Sequence, residues 1–324
     1  MFLGGKGEQA RRYTKVRGAL IACALAGIGL AGGCTMPAAS PVRSIEQWPA
    51  DGVAGGRVFA TEYYAIHTSV ADDEAVQRLA RLLANARGRY ADLTGVAPQA
   101  GRPLPVYYFA TYDEWADYTR RTTGPMAEVY LRVFNGGYTA GERVVFWHGN
   151  EADVLPTLTH EGLHQYVARH FRRRLPPVIE EGLAVACEDV DLGRLTIGDR
   201  ATPRRQAALR AAAENGFLIP LDTLLLLNAG DLSDRPAALR ESFYAQCWAL
   251  ATFLNASPAY RPGFRRLLRD SAEGTAAIDI GANRPDATYN AARVRPLLET
   301  YVGDWPTFTS AFGTWQRRLA QAAE

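Results

Sequence analysis

Residues 160–164 read His160-Glu161-Gly162-Leu163-His164, a spacing that carries most meaning on a helix. Side chains four residues apart lie there on one face, so His160 and His164 can present two imidazoles to a single metal ion. Glu161 follows the first histidine, where its carboxylate can reach a water beside the metal instead of the metal itself. Two nitrogen ligands with an adjacent base is the arrangement a zinc hydrolase needs. The chain has only five histidines among 324 residues, so the pattern arises by chance in roughly 0.004 chains of this length and composition. The competing reading is an amphipathic helix that happens to carry two histidines.

Two histidines do not close a catalytic zinc site, which as a rule has three protein ligands and an open position for water. Pro176-Pro177 ends the motif helix and starts another, over 178–191, in which Glu180 or Glu181 can supply the third ligand. Gly182 and Ala184 lack bulk, so the two helices can approach closely. Glu188 lies two turns beyond Glu181 on nearly the same face. It reads either as a partner for a ligand imidazole or as a surface carboxylate.

Before this region the periodicity alternates between types. Strands are expected over 57–68, 104–110, 129–138 and 143–147, the last two flanking Gly141-Glu142, with helices over 72–93 and 112–122. From residue 153 onward the pattern is helical, in segments over 153–171, 178–191, 203–215, 220–228, 236–255, 260–271, 286–300 and 305–322.

The second helix reads Glu181-Gly182-Leu183-Ala184, and with the first motif it resembles the gluzincin metallopeptidases, whose third zinc ligand is the glutamate of Glu-Gly-x-Ala. The resemblance implies His160, His164 and Glu181 as ligands of Zn2+, with Glu161 as general base and Glu181 favoured over Glu180. In the aminopeptidase branch a tyrosine in Tyr-x-x-Gly-x-Ala-Leu donates to the developing oxyanion. Tyr244-Ala245-Gln246-Cys247-Trp248-Ala249-Leu250 is similar, with Cys247 in place of the glycine, and lies 63 residues after Glu181. From its residues alone, Tyr244 reads equally as part of a core stripe with Phe243, Cys247, Trp248, Ala251 and Leu254.

More broadly, the chain resembles the peptidase-MA-like domains of bacterial exported lipoproteins. That likeness implies an α+β, zincin-like fold over 57–324, with a small mixed α/β layer and an edge strand over 57–150 and a mostly helical part with the metal site over 151–324. Strand 143–147 would be the edge that pairs main chain to main chain with an extended peptide, approached past Phe134-Asn135-Gly136-Gly137-Tyr138. The expected activity is zinc-dependent hydrolysis of peptide or protein substrates in the bacterial cell envelope. The competing readings are an inactive envelope scaffold of the same fold and a zinc hydrolase of a non-peptide amide or ester.

The N-terminus bears on location. Arg11, Arg12, Lys15 and Arg17 precede an apolar run of 16 residues over 18–33, short for a membrane span of about 20 and typical of a signal peptide. Leu30-Ala31-Gly32-Gly33-Cys34 resembles a bacterial lipobox, which implies lipidation at Cys34 and an exported, membrane-anchored protein facing the periplasm. A plain signal peptide is the alternative. Residues 34–56, broken by Pro37, Pro41, Pro49 and Gly52, read as a tether. Without residues 1–33 the chain holds 31 basic against 33 acidic side chains, net −2. No basic stripe interleaved with aromatics remains, so no nucleic-acid partner is expected. Cys187 and Cys247 either form a disulfide or are buried thiols.

Overall fold

The computed structural model describes residues 42–49, 53–132, 136–198, 203–232, 234–283 and 288–322. The signal peptide, Cys34 and Phe134-Asn135 lie outside the described residues. In chain order the elements are β1 (Ser44–Gln47), β2 (Arg57–Ala60), β3 (Tyr64–Thr68), α1 (Asp73–Thr94), β4 (Leu104–Phe109), α2 (Tyr112–Thr123), α3 (Ala127–Leu131), β5 (Gly137–Ala140) and β6 (Arg143–Trp147). They continue with α4 (Glu151–His170), α5 (Pro177–Val185), β7 (Val190–Asp191), β8 (Thr196–Ile197), α6 (Pro203–Glu214), α7 (Leu221–Leu224), α8 (Ala237–Ala256), α9 (Arg261–Glu273), α10 (Val294–Val302) and α11 (Trp305–Gln321). This is the expected α+β organisation, a mixed sheet followed by helices. Among the described residues, no helix is long and apolar enough to cross a membrane.

The six-stranded sheet runs β1-β2-β3-β4-β6-β5, with β3, β4 and β6 mutually parallel and the other neighbours antiparallel. Alternation along each strand sorts its side chains onto two faces. Phe59, Ile66, Val106, Val144 and Phe146 pack against Leu79 and Leu83 of α1 and Leu155 and Leu158 of α4. The opposite face carries an aromatic cluster in which Phe109, Tyr138 and Val145 meet Trp115 and Tyr118 of α2. A third cluster joins α4, α5 and the later helices. Helix α4 takes part in two of these cores. Leu155 and Leu158 belong to the sheet side, Leu163, Tyr166 and Val167 to the helical side, and the histidine motif falls at the change-over.

The structure corrects four boundaries. Residues 57–68 are a hairpin and not one strand, because the Thr61 hydroxyl accepts the amides of Tyr63 and Tyr64 at 3.3 and 2.9 Å and turns the chain back. Residues 44–47, read as tether, add β1 to that hairpin, and Trp48 closes over the aromatic face at 8 % exposure. Residues 129–138 are not a continuous strand. Gly124-Pro125 opens a 3-10 turn, where proline presets a helical φ, and α3 follows directly.

Finally, β6 is not an edge. It lies between β4 and β5, and at that end of the sheet the edge strand among the described residues is β5. The two-residue Gly141-Glu142 loop, with Gly141 at φ +59°, suits a type II′ hairpin turn. In antiparallel alternation, pairing of the Trp147 amide with the Gly136 carbonyl leaves the amides and carbonyls of Gly137 and Thr139 facing outward.

Candidate metal centre

The geometry of α4 and α5 is set by close contacts at small residues. The Tyr90 hydroxyl donates to the Thr159 carbonyl at 2.8 Å, over Gly162, where an added Cβ would lie 2.3 Å from that hydroxyl. The Thr159 hydroxyl donates to the Cys187 carbonyl at 2.6 Å, tying α4 to the end of α5. Gly182 serves a different neighbour from the one expected. A Cβ there would lie 2.2 Å from the Cys247 carbonyl, so its lack of bulk lets α5 sit against α8, not α4.

These contacts bring three acceptor atoms together. The Nε2 atoms of His160 and His164 are 3.3 Å apart, and Glu181 Oε2 lies 3.4 Å from the first and 3.7 Å from the second. The other nitrogen of each ring is occupied. His160 Nδ1 donates to Glu188 Oε1 and His164 Nδ1 to Glu180 Oε1, both at 2.9 Å. A carboxylate can only accept, so each neutral ring carries its proton on Nδ1 and turns its Nε2 lone pair inward. Glu181 Oε2, which also only accepts, is buried without a hydrogen-bond partner. Three lone pairs facing one another repel unless a proton or a metal ion sits between them. Tetrahedral zinc with bonds near 2.0–2.2 Å needs donor atoms about 3.3–3.5 Å apart, close to the separations found. The residues fit the metal, and His160, His164 and Glu181 could hold one.

Glu180 therefore stands behind His164 and does not compete with Glu181 for the third position. Glu188 stands behind His160, although not on a helix face as expected. Helix α5 stops at Val185 because Cys187 and Glu188 form tight bonds to Ala184 and Val185, and β7 follows. Cys187 and Cys247 are both buried free thiols.

Glu188 leads to a residue that the sequence reading missed. Arg205 of α6, 4 % exposed at its side chain, grips Glu188 with Nε at 3.1 Å and Nη2 at 2.9 Å, and gives Nη1 to Glu241 at 2.9 Å. Its guanidinium lies 5.3 Å from the centre of the Tyr244 ring. Arg205 thus compensates a buried carboxylate and packs on the tyrosine at once. No local signal marks it, since Arg204-Arg205 in a helical segment reads as solvated charge.

Tyr244 is at the site, its ring 6.3 Å from that of His160 and edge-on to it. Burial, followed by the negative charges of Glu181 and Glu161, raises its hydroxyl well above the usual tyrosine pKa, so it stays a donor. Glu161 and Tyr244 line the same cleft of about 1610 Å³ as the three acceptors and the β5 residues Gly137 and Thr139. The Thr139 hydroxyl donates to the Glu161 carbonyl at 2.9 Å, fixing the free edge to the motif. His148 is not a ligand. It pairs through Nδ1 with the Tyr108 hydroxyl.

Protons compete for the same lone pairs. Burial alone would lower the His160 pKa, but the neighbouring carboxylates of Glu181 and Glu188 outweigh it and lift the ring to about 9. His164 is raised by the same opposition, with Glu181 and Glu180 as its partners. Burial would raise Glu181, and the two imidazoles lower it instead. The sign follows. In the metal-free chain the raised histidines contribute stability that is full below about pH 6.5 and lost as pH rises through about 9. A metal must displace those protons, so its apparent affinity rises with pH across the same window, by about tenfold per unit for each proton displaced. Zinc competition against a chelator at several pH values measures this, and a flat profile would contradict it.

A scan against protein-family models finds no match to this chain, and a search of curated proteins finds none either.

Proposed function

We propose that this chain is a zinc-dependent peptidase of zincin-like fold, acting on extended peptides in the bacterial cell envelope. The observation that carries the reading is the convergence of three lone pairs, two of them on rings fixed from behind by carboxylates, in a cleft that also holds a free strand edge. The cleft volume of about 1610 Å³ exceeds the roughly 300–1,000 Å³ of small-molecule pockets, which favours a peptide over a small amide or ester.

Zinc held by His160, His164 and Glu181 would supply Lewis-acid polarisation of a carbonyl and acidify a water. Gly137 and Thr139 pair with the substrate main chain and place its carbonyl beside the motif. Glu161 takes the proton of the attacking water and later returns it to the leaving amine. Tyr244 donates its hydroxyl hydrogen to the oxyanion as negative charge develops there. Glu180, Glu188 and Arg205 take no proton; they orient the two imidazoles. The exported, lipid-anchored location rests on the basic and apolar N-terminal sequence and on Cys34.

The test is the purified full chain. It is expected to carry one zinc per molecule and to cleave members of a peptide library, losing both on chelation and regaining both with zinc. Stoichiometric zinc without peptide cleavage would favour the scaffold or the non-peptide hydrolase, and no zinc would remove the proposal.

A further inference from the structure

Six arginines line the cleft among the described residues: Arg102, Arg132, Arg143, Arg174, Arg204 and Arg240. Three are neutralised by acids, Arg102 by Glu142 at 3.3 Å, Arg132 by Asp234 at 2.9 Å and Arg204 by Glu241 at 2.9 Å. Two give hydrogen bonds to carbonyls, Arg174 to Ala282 at 3.2 Å and Arg240 to Arg235 at 2.8 Å. Arg143 has neither an ion pair nor a side-chain hydrogen bond with another described residue.

The sheet explains why. Arg143 starts β6 on the aromatic side, since Val144 faces the other core. The register places Pro105 beside it on β4 and Ala140 beside it on β5, and these cross-strand positions, about 5 Å away, are where a partner charge would stand. Neither residue has one. The adjacent Glu142 is committed elsewhere, to Arg169 at 2.6 Å and to Arg102. Arg143 is half-buried, so water compensates it only in part. Its guanidinium and the Glu161 carboxylate both act on the Tyr130 hydroxyl, which stacks on Tyr138 at 4.1 Å. The cation thus stands within electrostatic reach of the same tyrosine as the base, at the hairpin end of β5.

We propose that Arg143 is a carboxylate-binding subsite of the cleft, selecting peptides with a carboxylate close to the cleaved bond, either the C-terminal carboxylate or an Asp or Glu side chain. This rests on the peptidase reading. The planar fork of arginine matches a carboxylate with two parallel hydrogen bonds. A peptide paired with Gly137 and Thr139 runs past the Ala140–Arg143 closing pair and so brings its side chains or its end within reach.

Binding to the zinc-loaded Glu161→Gln chain tests this without relying on turnover. Peptides differing only in a terminal carboxylate against an amide, or in Asp and Glu against Asn and Gln, are compared by titration calorimetry. One carboxylate form is expected to bind roughly 10–100-fold more tightly than its neutral counterpart. Added to that chain, Arg143→Gln should abolish the ratio, and Arg143→Lys, a charge without the fork, should keep part of it. A preference confined to the terminal pair identifies the chain end as the ligand, and one confined to the internal pair identifies the side chain. Equal binding of charged and neutral peptides, or a preference that survives Arg143→Gln, overturns the proposal while leaving the peptidase reading intact. Failure of every peptide to bind overturns both.

Discussion

Glu161→Gln is expected to lower peptide turnover by roughly 100- to 10,000-fold, the usual contribution of a positioned general base, while zinc remains stoichiometric. Roles are separated along α4. His160 and His164 supply two of the three convergent atoms, and Glu161 lies between them without belonging to that set. The motif stays anchored in the variant, because Thr139 holds the Glu161 carbonyl and not its side chain. Glutamine preserves the volume of the side chain and removes only its basicity. Steady-state kinetics beside elemental analysis of the same preparation separates the two properties. Turnover equal to that of the parent chain would eliminate Glu161 as the base, and zinc loss in the variant would place it among the ligands.

The second large effect concerns the three glutamates around the imidazoles. A bound zinc would stabilise the folded chain by about 4 kcal/mol at a thousandfold excess over its dissociation constant. Glu181→Gln is expected to abolish the rise in melting temperature caused by zinc, since it replaces the one carboxylate oxygen that faces both Nε2 atoms. Glu180→Gln and Glu188→Gln are expected to retain that rise and to weaken zinc affinity by roughly 10–100-fold, the cost of releasing an imidazole from the group behind it. Thermal melts with and without zinc, run beside chelator competition, distinguish these cases. Similar losses at positions 180 and 181 would mean that the two carboxylates share the metal.

These assignments also show where sequence reasoning stops. The approach of His160 and His164 was legible because a helix has a fixed period, and four residues always return to the same face. Glu181 was legible only through a resemblance, since nothing in Glu180-Glu181 itself says which carboxylate turns inward. That choice depends on Gly182 docking against the Cys247 carbonyl, a contact between residues 65 positions apart. Arg205 was invisible for the same reason, because its burial is created by Glu188, Glu241 and Tyr244 arriving from elsewhere. The edge strand was misplaced because alternation tells which residues face a core, and both β5 and β6 satisfy it. Only the strand order tells which one lacks a neighbour. Residues 44–47 failed differently. All four side chains are exposed, so the strand exists through backbone pairing and leaves no hydrophobic pattern to read.

The hydrogen bond from Thr139 to the Glu161 carbonyl joins the free strand and the motif helix into one ruler. Outward-facing main-chain groups occur on β5 only at every second residue, so a peptide that slides by one position loses its pairing and one that slides by two regains it. Such a step is about 7 Å. Secondary cuts in a substrate would therefore fall two residues from the first, as spacing imposed by the strand and independent of which side chains the substrate bears.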